Sequence, residues 1–153
     1  MSTILREWKK TLESDLESII YELKDFLETP AIIILSGDVG VGKTTFTKKF
    51  VKQMVGDKLA FSPTYSIINE LGDVVHADFY RLQDAEEIVH LELSMYLEDK
   101  EYFLVEWGKP YLREILAEAS DDFKVYEIEF EMNESKSQDD SASRNLKLID
   151  LST

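Results

Sequence analysis

The 153-residue sequence contains no cysteine, which removes disulfide scaffolding, thiolate zinc sites and cysteine nucleophiles together. Its only histidines are His76 and His90, so any metal must rest on oxygen ligands or on those two rings. No apolar run approaches the ~20 residues that cross a bilayer. The opening MSTILREWKK carries charge where a secretory signal needs an apolar stretch and a small-residue cleavage site. A soluble, cytoplasmic protein with no membrane partner is expected. Basic residues are outnumbered 17 to 31, for a formal net charge of −14. Such a surface repels polyanions, because nucleic-acid affinity comes from Lys and Arg neutralising phosphates. Tight RNA or DNA binding by this chain alone is not expected. Arginine is scarce as well, at Arg6, Arg81, Arg113 and Arg144 only.

What is present suits one domain spanning residues 1–153, since the chain can bury one core and is too short for two ordinary ones. Leu12, Leu16, Ile19, Ile20, Leu23, Phe26 and Leu27 recur at helical spacing, and Thr29-Pro30 ends that helix. Ala31 to Leu35 is an apolar run of the kind found in parallel strands buried on both faces. A glycine loop and a helix from Thr44 to Val55 follow. Ile67–Leu71 and Val74–Tyr80 read as strands about a Gly72-Asp73 turn, Gln83–Leu97 as a helix, and Tyr102–Val105 as a second buried strand ending at Glu106. A helix is expected over Pro110–Ala119, then antiparallel strands over Phe123–Met132 and Leu146–Leu151. Residues 133–143, acidic and serine-rich, have nothing to bury and read as a flexible loop. The fold class is α/β, a three-layer sandwich of the P-loop NTPase type with a mixed central sheet and antiparallel C-terminal strands.

The loop is GDVGVGKTT, residues 37–45, and fits the phosphate-cradling pattern G-x-x-x-x-G-K-[ST] in its required setting between a buried strand and a helix. Gly37, Gly40 and Gly42 clear side chains where the backbone must turn and present N–H groups, with Asp38, Val39 and Val41 between them. Lys43 would reach the outer phosphates of a nucleotide, Thr44 would place its hydroxyl on Mg2+, and Thr45 would donate to the inner phosphate. ATP with Mg2+ is the implied ligand, and Lys43 and the metal supply a local positive field within an acidic protein. Two acids stand at strand ends, where an open α/β sheet gathers its ligands. Glu106 follows four hydrophobic residues and is assigned to Mg2+; Asp78 is assigned to the attacking water or the metal's surroundings. His76 precedes Asp78 by two residues on the same strand, Arg81 follows it closely, and Trp107 adjoins Glu106, which makes each a candidate for supporting the site.

In order, GDVGVGKTT, SPTYSIINE, HADFYRL and LVEW resemble the bacterial ATPase family called TsaE, formerly YjeE, over most of the chain. The combination is specific, because the phosphate loop is widely shared whereas S-P-T-[FY], then H-x-D-x-Y-R, then E-W is not. The resemblance implies an ATPase, slow alone and dependent on partners. Its complex with TsaB and TsaD proteins forms N6-threonylcarbamoyladenosine beside the anticodon of tRNAs reading codons that begin with A, with tRNA contacted mainly through the partners. It also implies that Lys43, Asp78 and Glu106 are catalytic, that Ser62, Pro63 and Thr64 form a nucleotide-responsive switch, and that His76, Tyr80, Arg81 and Trp107 couple hydrolysis to partners. Val39 and Val41 replace the leucine and alanine usual in the family's loop.

Two other readings share the phosphate loop. A small-molecule kinase must close over an acceptor, usually with several arginines, and this chain has four in all. A non-hydrolysing nucleotide-sensing adaptor looks like a weak ATPase in sequence. A GTPase is disfavoured by the absence of a guanine-reading N-K-x-D element.

Overall fold

Ala31–Leu35 lies at the heart of the molecule, and its burial on both faces dictates the rest of the architecture. The computed structural model describes residues 2–38, 40–56, 67–133 and 143–152. Strands β1 (Thr3–Thr11), β2 (Ala31–Ser36), β3 (Ile68–Leu71), β4 (Val74–Asp78), β5 (Tyr102–Glu106), β6 (Lys124–Met132) and β7 (Arg144–Asp150) form one sheet in the order β1-β7-β6-β2-β5-β4-β3. β2 pairs in parallel with β5 and β6, and β4 in parallel with β5. The β3–β4, β6–β7 and β1–β7 pairs are antiparallel.

Because side chains alternate across a strand, β2 feeds two cores. Ile33 and Leu35 face α1 (Leu16–Leu23) and α2 (Lys43–Val55), joining Ile20, Phe46, Phe50 and Leu148. Ile32 and Ile34 face the other layer, where α3 (Glu86–His90), α4 (Leu93–Leu97) and α5 (Leu112–Glu118) contribute Ile88, Leu93, Leu97 and Ile115. This is the expected three-layer α/β sandwich with a mixed sheet. Among the described residues no helix is long and apolar enough to cross a membrane.

Several elements differ from expectation in extent. The helix expected from Leu12 is a 3-10 turn over Glu13–Asp15 followed by α1, with Asp15 Oδ2 accepting the Leu12 N–H at 2.8 Å. The helix expected over Gln83–Leu97 is two short ones, because Glu92 takes the left-handed conformation (φ 55°) that an α-helix cannot pass through. Before α5, Lys109–Tyr111 form a 3-10 turn. Strand β1 has no counterpart in the sequence reading. Residues 134–142, the bulk of the expected flexible loop, lie outside the described residues.

Candidate functional site

β2 delivers the chain into the phosphate loop, and the backbone then turns where side chains would obstruct it. Gly37, Gly40 and Gly42 have φ of 138°, 85° and 104°, values that favour glycine. A Cβ on Gly37 would sit 2.6 Å from the Phe130 carbonyl oxygen, so no other residue passes there without a shift. Gly42 is the N-cap of α2 and offers no side chain to the helix's first N–H groups. Those donors and the helix dipole are therefore left for an anion.

Lys43 is the first residue of α2 and is almost fully buried. Its Nζ donates to the Gly37 carbonyl at 2.6 Å and lies 3.6 Å from the centroid of the Trp107 ring. Burial pushes its ammonium below the ordinary lysine range, against the opposing pull of Glu106, Asp78 and Asp38. It is a poorly hydrated cation, which a phosphate would stabilise more than it would a solvated one.

Glu106, at the end of β5, is 3% exposed and is the junction of the site. The Thr44 hydroxyl donates to Oε1 at 2.9 Å, and His76 Nε2 is 2.7 Å from Oε2. Burial acts to raise its pKa, yet the hydrogen bond and charge of His76, with Thr44 and Lys43, together hold it below the usual 4.5. An ionised carboxylate only accepts hydrogen bonds, so His76 Nε2 carries the proton in this contact. The strands make the meeting possible: Asp78 of β4 is in register with Glu106 of β5, and His76 lies two residues back.

A cleft of about 380 Å³ opens above these groups, lined by Gly40, Gly42, Lys43, Thr44, Thr45, Asp78, Tyr80, Glu106 and Trp107. Every lining residue was a candidate from sequence alone. Asp78 Oδ1 accepts the Tyr80 N–H at 3.0 Å, and the Tyr80 and Trp107 rings stand 5.1 Å apart. Trp107 holds φ 61°, and its indole lies over Lys43. His76 supports Glu106 from behind. Arg81 and Asp38 are exposed and lie outside the lining, and Val41 is buried and outside it too. Val39 and the switch candidates Ser62, Pro63 and Thr64 lie outside the described residues. A larger hollow, about 510 Å³, lies against β1, β6 and β7 and touches Gly37, but Lys43, Thr44 and Glu106 do not line it.

The oxygen donors of Thr44 and Glu106, adjacent at the mouth of the loop, suit a hard cation such as Mg2+, which takes few protein ligands and keeps water and phosphate oxygens. No group of three or more His, Cys, Asp or Glu suited to a metal exists among the described residues.

Sequence reasoning missed two supports. Buried Glu127 of β6 accepts the Ser36 hydroxyl at 2.6 Å and pairs with Lys109 Nζ at 3.0 Å, fastening the segment after Trp107 to the strand below the loop. The hydrogen bond to Glu127 raises the Lys109 pKa. Arg144, the first residue of β7, donates from Nη1 to the Val41 carbonyl at 3.0 Å. Neither contact leaves a local signal, because the partners are far apart in the chain.

The depressed Glu106 pKa carries a pH signature. Its contribution to stability is complete above its unfolded value near 4.5 and is lost as pH falls through the lower folded value. Thermal melts from about pH 7 to about pH 3 should therefore show the gap between the native protein and Glu106→Gln narrowing at the acid end. A gap constant across that range would contradict the ionised, hydrogen-bonded carboxylate.

The family model "Threonylcarbamoyl adenosine biosynthesis protein TsaE" matches residues 10–143. The Bacillus subtilis tRNA threonylcarbamoyladenosine biosynthesis protein TsaE is 34% identical over 106 residues, covering 67% of this chain and 66% of that one. The Rickettsia conorii protein of the same name is 30% identical over 124 residues, covering 73% and 70%. The Haemophilus influenzae one is 32% identical over 91 residues and is matched over only 58% of its length. The crystal structure of Bacillus subtilis YdiB superposes with a TM-score of 0.58 at 24% identity, covering 99% of this chain and 88% of that one, a likeness of fold. With the family match running from the end of β1 through the loop, both acidic strand ends and β6, this chain belongs to the TsaE family.

Proposed function

We propose that the protein binds and hydrolyses ATP with Mg2+, and does so in the cytoplasm as the ATPase of the assembly that forms N6-threonylcarbamoyladenosine in tRNA. The observation that carries this reading is the 2.9 Å contact between the Thr44 hydroxyl and Glu106, which joins the phosphate loop to a buried acid from a strand 62 residues away. A loop that only gripped phosphate would not require that acid.

In this reading the amides of Gly40 to Thr45 hold the phosphate chain and Lys43 leaves the Gly37 carbonyl to pair with the outer phosphates. Bound Mg2+ would supply charge neutralisation between phosphate oxygens, held by Thr44 and Glu106. His76 keeps Glu106 oriented and ionised. Asp78 borders the cleft, where a carboxylate can orient a water for attack. Tyr80 is 61% exposed beside Trp107, so a partner touching that surface would also touch the ring that covers Lys43. Partners of the TsaB and TsaD type would supply the basic surface for tRNA that a chain of net charge −14 lacks.

The test combines this chain with TsaB and TsaD proteins, tRNA, ATP and the other substrates of the modification. Modified adenosine should appear over many turnovers only when the chain is present. Modification that proceeds equally without it would remove the assignment. Phosphate transfer from ATP to a small acceptor by the chain alone would favour the kinase instead.

A further inference from the structure

We propose that Arg144 is a positioning residue that aims the phosphate loop's amides at the nucleotide, an inference that rests on the nucleotide-binding reading above. The family match ends at residue 143, so it assigns Arg144 no role. Arg144 begins β7, and Nη1 reaches back to the Val41 carbonyl at 3.0 Å. The guanidinium also occupies the space beside Gly42, where a Cβ would overlap Nη1.

The peptide between Val41 and Gly42 is planar, with its C=O and N–H pointing in opposite directions. Arg144 holds the C=O outward, so the Gly42 N–H is turned to the other side of the loop. Gly42, Lys43 and Thr44 line the cleft and Arg144 does not. One bond from outside therefore orients a donor inside. The base of the arginine is itself anchored, since the Arg144 carbonyl accepts the buried Thr11 hydroxyl at 2.7 Å. Among the described residues its buried Nε has no hydrogen-bond partner.

The experiment compares the native chain with Arg144→Ala and Arg144→Lys, each confirmed folded by its melting curve. Binding is measured for ADP, whose phosphates meet the loop, and for adenosine, which has none. Arg144→Ala should weaken ADP roughly tenfold, the scale of one charge-assisted hydrogen bond, and leave adenosine unchanged within about twofold. Arg144→Lys, which keeps a cationic donor, should recover part of the loss. The Gly42 amide resonance of 15N-labelled protein should move in Arg144→Ala without any ligand. An unmoved Gly42 amide together with unchanged ADP affinity would overturn the proposal, as would equal losses for ADP and adenosine. Failure of the native chain to bind ADP would instead remove the nucleotide reading, and the ligand-free amide measurement would still decide whether Arg144 orients the loop.

Discussion

Glu106→Gln is expected to leave a folded protein that binds nucleotide but hydrolyses ATP at least about a hundredfold more slowly, the scale of losing a preorganised charge at a reacting phosphate. Glutamine matches the shape of glutamate and keeps one acceptor oxygen. Its amide NH2 must then face either the Thr44 hydroxyl or the His76 Nε2–H, both of which donate to the native carboxylate. One contact fails, and the buried negative charge that balances Lys43 is gone. His76 then has no anion to orient. Phosphate release in Mg2+ and ATP, with affinity measured separately, reads the effect. Hydrolysis within about threefold of native would show that the acid is structural only.

Lys43 carries the second large expectation. Lys43→Ala should abolish measurable hydrolysis and weaken ATP by roughly a hundredfold or more, because it removes the only cation among the described residues that line the cleft. Lys43→Arg should rescue little. The ammonium sits between the Gly37 carbonyl at 2.6 Å and the Trp107 ring at 3.6 Å, a gap matched to a compact point charge and not to a planar fork. Nucleotide titration and phosphate release on both variants test this. Near-native turnover in folded Lys43→Ala would end the phosphate-loop mechanism.

The parts of this molecule that were legible in the sequence are those whose signal is local. Ala31–Leu35 is apolar throughout because both faces are covered, and Tyr102–Val105 for the same reason, so the central strands and the acid that follows them were readable. The loop was legible because its chemistry dictates glycines, lysine and threonine at set spacings. Strand β1 was not. Its register against β7 shifts between Ile4 and Arg6 and again between Trp8 and Thr11, and Lys10 takes φ 54°. Only Trp8 and Thr11 are buried, so no alternation survives for a reader to find. The break at Glu92 was hidden because an uninterrupted helical spacing of Ile88, Leu91, Met95 and Leu97 does not reveal one left-handed residue. Arg144 was hidden for another reason: its meaning lies in a carbonyl 103 residues earlier, and carbonyls have no identity in a sequence.

That separation has a consequence for how the protein comes to be competent. Thr44 meets Glu106 across 62 residues, and Val41 meets Arg144 across 103, with β7 between β6 and β1 in the finished sheet. Contacts so distant in the chain each carry a large loop-closure entropy. A partly folded chain with β2, the loop and α2 in place would own the recognisable motif without its acid or its brace. On the proposed reading, nucleotide affinity would be a property of the completed sheet, and a ligand binding only that state would draw the last strands into place by mass action.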